Sequence, residues 1–382
     1  MSRADDKVLR QFQARYRKAS KKERTAILDE YVKTTGYHRK HATRVLTGTQ
    51  ARSDGPRRRA RQRIYGAEEA WALLRLTELF DGICAKLLRA ALDVELPGLY
   101  GAGHIQVSPA CYEKLQRVSP ATIDRLLRKH RPLGGKSRGF TKPGTLLKHQ
   151  IPIRTWADWT EDRPGFCELD LVDHSGGLTI RGADHAWTLG FTDVHTGWTE
   201  CLAVRNKAQV HVFAAIQHAR ERLPFPLLGI DCDNGSEFIN DQLYRYCMGE
   251  HITFTRGRVG HKNDNAYVEQ INNTDVREEV GYYRYDTPEQ LDLLNRLYAV
   301  RHFYSNFFLP TMRLQEKIRE GSKVRRKYDR PKTPYARVLA SPHVADEYKA
   351  HMHETYALLD LIDLRTQLND LLRRLLKTVS TL

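Results

Sequence analysis

The sequence predicts a multidomain protein in which helical modules precede an α/β domain with a mixed sheet. Its 382 residues allow two or three domains of ordinary size. Apolar residues recur with helical spacing in the first third of the chain, and the pattern changes to short buried strands near residue 165. Strands followed by helices are typical of an α/β domain. We therefore expect four segments, residues 1–64, 65–150, 151–310 and 311–382.

The composition favours a polyanionic partner. The chain has 62 Lys and Arg residues against 46 Asp and Glu residues, a formal net charge of +16. Basic side chains that neutralise phosphates release condensed counterions, although a charge of this size could also serve solubility alone. The 41% of hydrophobic residues exclude a disordered chain, and no long apolar run or signal peptide is present. We expect a cytoplasmic protein, without a membrane as partner.

Residues 1–64 are predicted to form a helix-turn-helix domain with a basic linker. Apolar Ile27, Leu28 and Tyr31 have helical spacing, and a second short helix follows Thr-Thr-Gly. A second helix of this kind can enter the major groove of DNA, although a plain helical hairpin has the same periodicity. The candidate DNA-binding residues on it are Arg39, Lys40 and Arg44.

An arginine-rich linker follows this helix pair. Guanidinium groups in an extended segment suit phosphates or a narrow minor groove, although a solvated linker without a partner would have the same composition. Its candidate DNA-binding residues are Arg57, Arg58, Arg59, Arg61 and Arg63.

Residues 65–150 are predicted to form a second helical, helix-turn-helix-like DNA-binding domain that ends in a basic tether. In its last helix, Ser119 is a natural N-cap and Pro120 suits the first helical position. This helix could also read DNA. Its candidate contact residues are Arg125, Arg128 and Lys129.

Residues 151–310 contain the α/β pattern. FCELDLVDH predicts a buried strand, and ADHAWTLGFTDVHTGWTECLAV predicts two further strands joined by a His-Thr-Gly turn. A helix at 208–222, a strand in PLLGIDCDNG and helices near 262–280 and 288–305 complete the pattern. The region 311–382 is basic and ends in a seam of leucines, which either packs on its own protein or mediates self-association.

Three carboxylates stand where local structure would hold them rigidly. Asp170 lies within the first strand, Asp233 follows the IDCDNG strand, and Glu269 is early in the next helix. Converging carboxylates repel each other unless hard cations lie between them, and Mg²⁺ prefers oxygen ligands. Two such ions can activate the attacking oxygen and stabilise the leaving oxygen of a phosphodiester. Because acidic residues are common, their spacing alone does not establish such a site.

The strings around these acids resemble those of the DDE transposases and integrases of bacterial insertion sequences, within the retroviral-integrase-like superfamily. The matching strings are ELDLVDH, DCDNGSEF and KNDNAYVEQ, with GFTDVHTGW and YDRPKTPYARVL beside them. Thirty-five residues separate the last two acids, the interval typical of this family. The resemblance covers roughly residues 160–340. The retroviral N-terminal His/Cys zinc module is absent from the sequence, which favours the bacterial branch.

The resemblance implies a ribonuclease H-like core with a mixed five-stranded sheet. It implies that Asp170, Asp233 and Glu269 are catalytic residues and ligands of Mg²⁺ or Mn²⁺, with two ions expected, and that Lys262 contacts DNA. It also implies cleavage of double-stranded DNA at element ends, followed by transfer of the freed 3′ hydroxyl into target DNA. A nucleoid-associated bacterial homo-oligomer is the expected form.

Two rival functions remain open from the sequence. One is a sequence-specific DNA-binding regulator, an inactive or domesticated transposase without catalysis, and the other is a nuclease that cannot join strands. The sequence has no GxxxxGK[ST] string and no GxSxG string, so neither a built-in ATPase nor a serine hydrolase is indicated.

Overall fold

The computed structural model describes residues 3–48, 64–128, 163–177, 184–233, 235–257, 268, 271–320 and 323–379. The chain divides into two compact units, Met1–Ile64 and Tyr65–Leu382. Each unit has its own hydrophobic core, and each is described by itself.

The first unit contains three helices, α1 (Arg3–Lys18), α2 (Lys21–Thr35) and α3 (Arg39–Leu46). Ser20 and Glu23 form a capping box that starts α2, and the left-handed backbone of Gly36, with φ of 68°, ends it. The two helices predicted from the apolar periodicity, α2 and α3, are thus confirmed. Their core consists of Phe12, Ile27, Leu28, Tyr31, Ala42, Val45 and Leu46. That α3 reads DNA stays a prediction.

The second unit begins with four helices. They are α4 (Ala67–Leu79), α5 (Ala85–Gly101), α6 (Pro109–Arg117) and α7 (Pro120–Leu127). The predicted cap of α7 is confirmed, since the Ser119 side chain accepts a hydrogen bond from the backbone N–H of Thr122 and Pro120 occupies the first turn.

A mixed sheet of five strands follows, as predicted. Its strands are β1 (Phe166–Asp173), β2 (Trp187–Asp193), β3 (Thr199–Val204), β4 (Gly229–Cys232) and β5 (Thr253–Arg256). The spatial order is β3-β2-β1-β4-β5. The pairs β1–β2 and β2–β3 are antiparallel, whereas β1–β4 and β4–β5 are parallel. Helix α8 (Gln209–Glu221) connects β3 to β4, and helix α9 (Asp241–Gly249) connects β4 to β5.

The edge strand β3 is protected by two asparagine side chains. Asn306 accepts a hydrogen bond from the backbone N–H of Thr199 at 2.9 Å and donates to its carbonyl oxygen at 2.8 Å. Asn295 does the same at Ala203, at 2.9 and 3.0 Å. These amides occupy the positions that a neighbouring strand would otherwise take, so this edge is shielded from pairing with another chain.

The rest of the second unit is mainly helical. Its elements are the π-helical segment π1 (Asn272–Arg277), α10 (Glu278–Val280), α11 (Pro288–Phe303), the π-helical segment π2 (Tyr304–Phe308), α12 (Pro334–Ala340), α13 (Asp346–Leu358) and α14 (Leu361–Thr378). Between π2 and α12 lies an antiparallel ribbon of β6 (Leu314–Glu320) and β7 (Lys323–Tyr328). The sequence did not predict this ribbon, because basic residues obscure its alternation.

The leucine seam packs within the chain. The five leucines are buried in the same core as the sheet, and α14 lies against α11. They are Leu361, Leu364, Leu368, Leu371 and Leu375. Of the two roles left open by the sequence, packing on its own protein is therefore the one observed.

Helices α4–α7 belong to this core as well. The Tyr304 hydroxyl donates to the carbonyl oxygen of Leu79 at 2.6 Å, and the Tyr356 hydroxyl donates to Glu95 Oε1 at 2.7 Å. Buried Arg301 pairs with Asp81 at 2.8 Å, which ties α11 to the turn after α4. Among the described helices, none has the length and apolar character needed to cross a membrane.

Candidate functional site

The register of two parallel strands brings Asp170 and Asp233 together. Glu168 on β1 lies opposite Asp231 on β4, and Leu169 lies opposite Cys232. Continuing this register by one residue sets Asp170 beside Asp233, with neighbouring strands about 4.8 Å apart. Because side chains alternate between the faces of a sheet, Glu168, Asp170 and Asp231 lie on the same face, and Asp233 directly follows the end of β4.

A helical segment covers this face next to the acids. The backbone N–H of Val268 donates to Glu168 Oε2 at 3.0 Å, and Asn272 Nδ2 donates to Asp170 Oδ2 at 2.8 Å. These two bonds anchor the segment to residues two apart on β1. Glu269, the third predicted acid, follows Val268 in the chain but lies outside the described residues.

Gly190 on β2 makes room for this segment. It is the register partner of Asp170. A Cβ atom at position 190 would lie 2.6 Å from Asn272 Oδ1 and 3.2 Å from Val268 Cγ2. Glycine in the middle of a strand often marks such a close approach, since any side chain would push the neighbouring element away.

Asp233 lies in an environment that disfavours its charged form. Burial raises its pKa, and the backbone N–H of Gly235, which donates to Oδ1 at 2.8 Å, lowers it. The charge of Glu237 raises the pKa further, and that of Lys207 lowers it. A bound cation would stabilise the ionised carboxylate that burial disfavours.

Lys207 provides a positive charge near this edge of the sheet. Its side chain is exposed, and its Nζ lies 5.2 Å from the centroid of the Trp187 ring. Trp187 begins β2 opposite Asp173, the last residue of β1, so it lies at the edge where β1 and β4 end.

The other acids near the site have structural partners. Glu168 and Asp231 are fully buried, and Asp231 accepts a hydrogen bond from the hydroxyl of Thr255. Asp193 accepts bonds from the backbone and hydroxyl of Thr196, both at 2.6 Å, and so fixes the turn between β2 and β3.

A second acidic group occurs in the helical part of the unit. One ligand atom each from Glu68, Glu69 and Cys111 lies within 4.8 Å of the others. Glu69 is already paired with Lys114 at 2.7 Å, and Glu68 accepts bonds from both the backbone and the hydroxyl of Ser108, at 2.7 and 3.0 Å. Burial and the two carboxylates raise the pKa of Cys111 to about 11, so it is a neutral thiol. This group is best explained as a contact that joins α4 to α6.

The predicted DNA-binding residues fall into two groups. Five of them are described and have exposed side chains. These are Arg39, Lys40 and Arg44 on α3, and Arg125 and Arg128 at the end of α7. Arg39 forms an ion pair with Asp29. The following candidates lie outside the described residues: Arg57, Arg58, Arg59, Arg61, Arg63, Lys129 and Lys262.

Sequence reasoning missed three residues at this site, namely Gly190, Lys207 and Asn272. A glycine within the apolar strand WTLGFTD was a usable signal of close approach. Asn272 stands three residues after Glu269 in the sequence, and this closeness to a predicted acid was a usable signal. No pattern in the sequence singled out Lys207.

No family model matches the chain. Among solved structures, the HTLV-2 integrase catalytic core domain in complex with magnesium (dimeric form) is 15% identical, with a TM-score of 0.29 over 39% of this chain and 90% of that chain. The BIV integrase catalytic core domain is 16% identical, with a TM-score of 0.27 over 50% of this chain and 98% of that chain. Both TM-scores are too low to establish a shared fold.

A sequence relative covers most of the chain. The uncharacterized protein y4rM of Sinorhizobium fredii is 40% identical over 324 residues, which are 85% of this chain and 91% of that protein. Identity of this level over this length establishes common descent. The chain therefore belongs to the same family as the uncharacterized protein y4rM of Sinorhizobium fredii.

Proposed function

We propose that the protein is a metal-dependent DNA transposase of the DDE type with a ribonuclease H-like core. The observation that carries the proposal is the β1–β4 register, whose last pair, Leu169 and Cys232, directly precedes Asp170 and Asp233. Val268 and Asn272, which stand on either side of Glu269 in the sequence, are bonded to Glu168 and Asp170 on β1. The three acids were singled out from their sequence strings, and the first two directly follow a residue pair of the β1–β4 register.

The donor chemistry fits a divalent metal. Carboxylate oxygens are hard ligands of the kind preferred by Mg²⁺ and Mn²⁺. Asp233 is held where its charge is costly, which a cation would offset. Asp170, Asp233 and Glu269 would hold the metal, with two ions proposed. When bound, the ions would activate the attacking oxygen and stabilise the leaving oxygen of a phosphodiester.

The other residues of the site would act by positioning. Asn272 donates to one oxygen of Asp170 and so orients that carboxylate. The Gly235 N–H does the same for Asp233. Lys207 is exposed and could pair with a DNA phosphate near the acids. The partner is proposed to be double-stranded DNA, both element ends and target, bound by a homo-oligomer that pairs two ends.

A plasmid assay tests this function. A supercoiled plasmid that carries the DNA flanking both sides of the coding region is incubated with the protein and Mg²⁺ or Mn²⁺. We expect nicking at the element ends and then strand-transfer products. The variants Asp170→Asn and Asp233→Asn should abolish both, because an amide cannot supply the charge required by the metal. Asp241→Asn, which changes an exposed acid on α9, is the matched control and should retain activity.

The outcomes separate the rival functions. Equal activity from Asp233→Asn would refute the proposed metal centre. Specific binding of the flanking DNA without metal-dependent cleavage would favour a regulator, and cleavage without strand transfer would favour a nuclease. As a readout independent of activity, Mn²⁺ binding measured by electron paramagnetic resonance should weaken in Asp233→Asn and stay unchanged in Asp241→Asn.

A further inference from the structure

Two adjacent tyrosines are exposed on the loop that joins α10 to α11. Tyr282 is 49% exposed and Tyr283 is 47% exposed. A single exposed aromatic residue is ordinary on a protein surface, whereas two in succession present a larger apolar area to water. This tyrosine pair is therefore a candidate contact surface.

The loop that carries the tyrosine pair is fixed to the end of β1. Tyr285 is fully buried, and its backbone N–H donates to the carbonyl oxygen of His174 at 3.1 Å. Its hydroxyl donates to the carbonyl oxygen of Val280 at 2.5 Å. Arg284 forms an isolated antiparallel bridge with Ser175. These bonds hold the backbone on both sides of the tyrosine pair, so a fixed support presents the two rings.

Each ring of the tyrosine pair also rests on a neighbouring group. The Arg277 guanidinium lies over the Tyr282 ring, with Cζ 4.8 Å from the ring centroid, within the range of a cation–π contact. The Tyr283 ring lies against Gly281, where a Cβ atom would be 2.9 Å from its Cε2 and 3.0 Å from its Cδ2. Gly281 has φ of 74° and ψ of −163°, a combination that essentially only glycine adopts. The rings are thus held in place before any partner binds.

The charges around the tyrosine pair are largely compensated. Arg284 pairs with Asp286 at 2.7 Å, and Glu279 pairs with Arg301 at 2.8 Å. Exposed Glu278 lies next to Arg277 in the chain. A surface of this kind binds through its rings and does not neutralise phosphates, so its contribution to binding should depend little on salt.

The tyrosine pair lies beyond the end of β1 that follows Asp170. Ser175, the bridge partner of Arg284, stands five residues after Asp170. An extended chain covers at most about 16 Å over this interval, at about 3.3 Å per residue. One strand of DNA advances about 3.4 Å per nucleotide, so a strand at Asp170 would come within reach of the loop in about five nucleotides.

We propose that Tyr282 and Tyr283 bind unpaired nucleotides of a DNA end by stacking on their bases. The choice of DNA rests on the proposed function and on the short distance to Asp170. Bases within a duplex already stack on their neighbours, whereas an unpaired base has a π face that an exposed aromatic ring can cover. The tyrosine pair thus holds a strand that is frayed or released at the end of an element, within a few nucleotides of the acids.

Fluorescence anisotropy with two DNA probes tests this contact in the full-length chain. One probe is a blunt duplex, and the other is the same duplex with a single-stranded tail of about six thymidines, enough to cover about five nucleotides. The variant Tyr282→Ala with Tyr283→Ala removes both rings, and Tyr282→Phe with Tyr283→Phe keeps them. Tyr348→Ala removes an exposed tyrosine of α13 and is the matched control. The titrations are made in EDTA and require no cleavage, so failure of the catalytic proposal would leave this measurement intact.

The expected result is a loss confined to the tailed probe and to the double alanine variant. Binding of this probe should weaken by about 5- to 150-fold for each base that stacks. Binding of the blunt duplex should not change, and the slope of log Kobs against log[salt] should stay the same because no phosphate contact is lost. The double phenylalanine variant and Tyr348→Ala should bind both probes as the wild type does.

A fluorescent adenine analogue in the tail reports stacking directly, because its emission is quenched when it stacks on a ring. We expect quenching on binding of the wild type and the double phenylalanine variant, and none with the double alanine variant. Thermal unfolding should be nearly unchanged in all of them, since both side chains are exposed.

Three results would overturn the proposal. The first is equal affinity of the wild type and the double alanine variant for the tailed probe. The second is an equal loss on the blunt and tailed probes. The third is a loss of self-association by the double alanine variant in light scattering, with tail binding unchanged, which would identify the tyrosine pair as a protein contact.

Discussion

Adding one methyl group to β2 should impair the candidate site without unfolding the protein. In Gly190→Ala, the new Cβ would lie 2.6 Å from Asn272 Oδ1 and 3.2 Å from Val268 Cγ2. Ordinary van der Waals contact begins at 3.4 Å, so the Asn272 amide would have to move by about 0.8 Å, either by rotating or together with its backbone. Asn272 donates a hydrogen bond to Asp170, so either movement would disturb the orientation of that carboxylate.

The magnitude can be estimated in two parts. Overpacking by one methyl group costs about 1–3 kcal/mol, which a domain stable by about 5–15 kcal/mol tolerates. A displacement of about 1 Å in a catalytic group can cost about 100-fold in rate. We therefore expect Gly190→Ala to remain folded but to cleave DNA about 100-fold more slowly.

The assay combines single-turnover cleavage of a plasmid substrate with urea unfolding followed by circular dichroism. Gly98→Ala is the matched control. A Cβ at this position in α5 meets nothing within 4 Å, and alanine should stabilise the helix by about 0.5–1 kcal/mol with unchanged cleavage. Full activity and unchanged stability of Gly190→Ala would refute the proposed close approach.

Three further predictions concern single residues. Asn272→Ala removes the amide that orients Asp170, so single-turnover cleavage should slow about 10–100-fold while the unfolding midpoint in urea changes little. Burial lowers the pKa of His174 to about 3, so below pH 6.5 the unfolded chain binds a proton that the folded protein cannot. This difference in proton binding should lower the free energy of unfolding by up to about 1.4 kcal/mol per pH unit as the pH falls from about 6.5 towards 3. Urea titrations of His174→Gln should lack this slope. Leu368→Ala should destabilise the fold by about 2–5 kcal/mol in urea without changing the oligomeric state seen by light scattering, because Leu368 is fully buried within its own chain.

Each of these predictions has a contrary result. Unchanged cleavage by Asn272→Ala would mean that its bond to Asp170 has no part in the reaction. Identical pH slopes for the wild type and His174→Gln would place the acid sensitivity elsewhere. Dissociation of an oligomer by Leu368→Ala, with the fold intact, would restore the self-association role of the leucine seam.

The sequence by itself determined the elements whose signals are local. The Ser119 cap and the apolar spacing of α2 depend on residues three or four apart, so they can be read from a short stretch of chain. The short apolar strands around Asp170 and Asp233 were predicted for the same reason. Their strings also supplied the resemblance that motivates the proposed function.

Only the tertiary structure decided which distant residues meet. The bond between Asn272 and Asp170 joins residues 102 positions apart, and the β1–β4 register pairs Leu169 with Cys232, the residues directly before Asp170 and Asp233. The local sequence pattern of the leucine seam is the same whether it packs on α11 or binds a second chain. Strand register and side-chain packing depend on how apolar surfaces from distant parts of the chain bury one another. No short stretch of sequence contains that information.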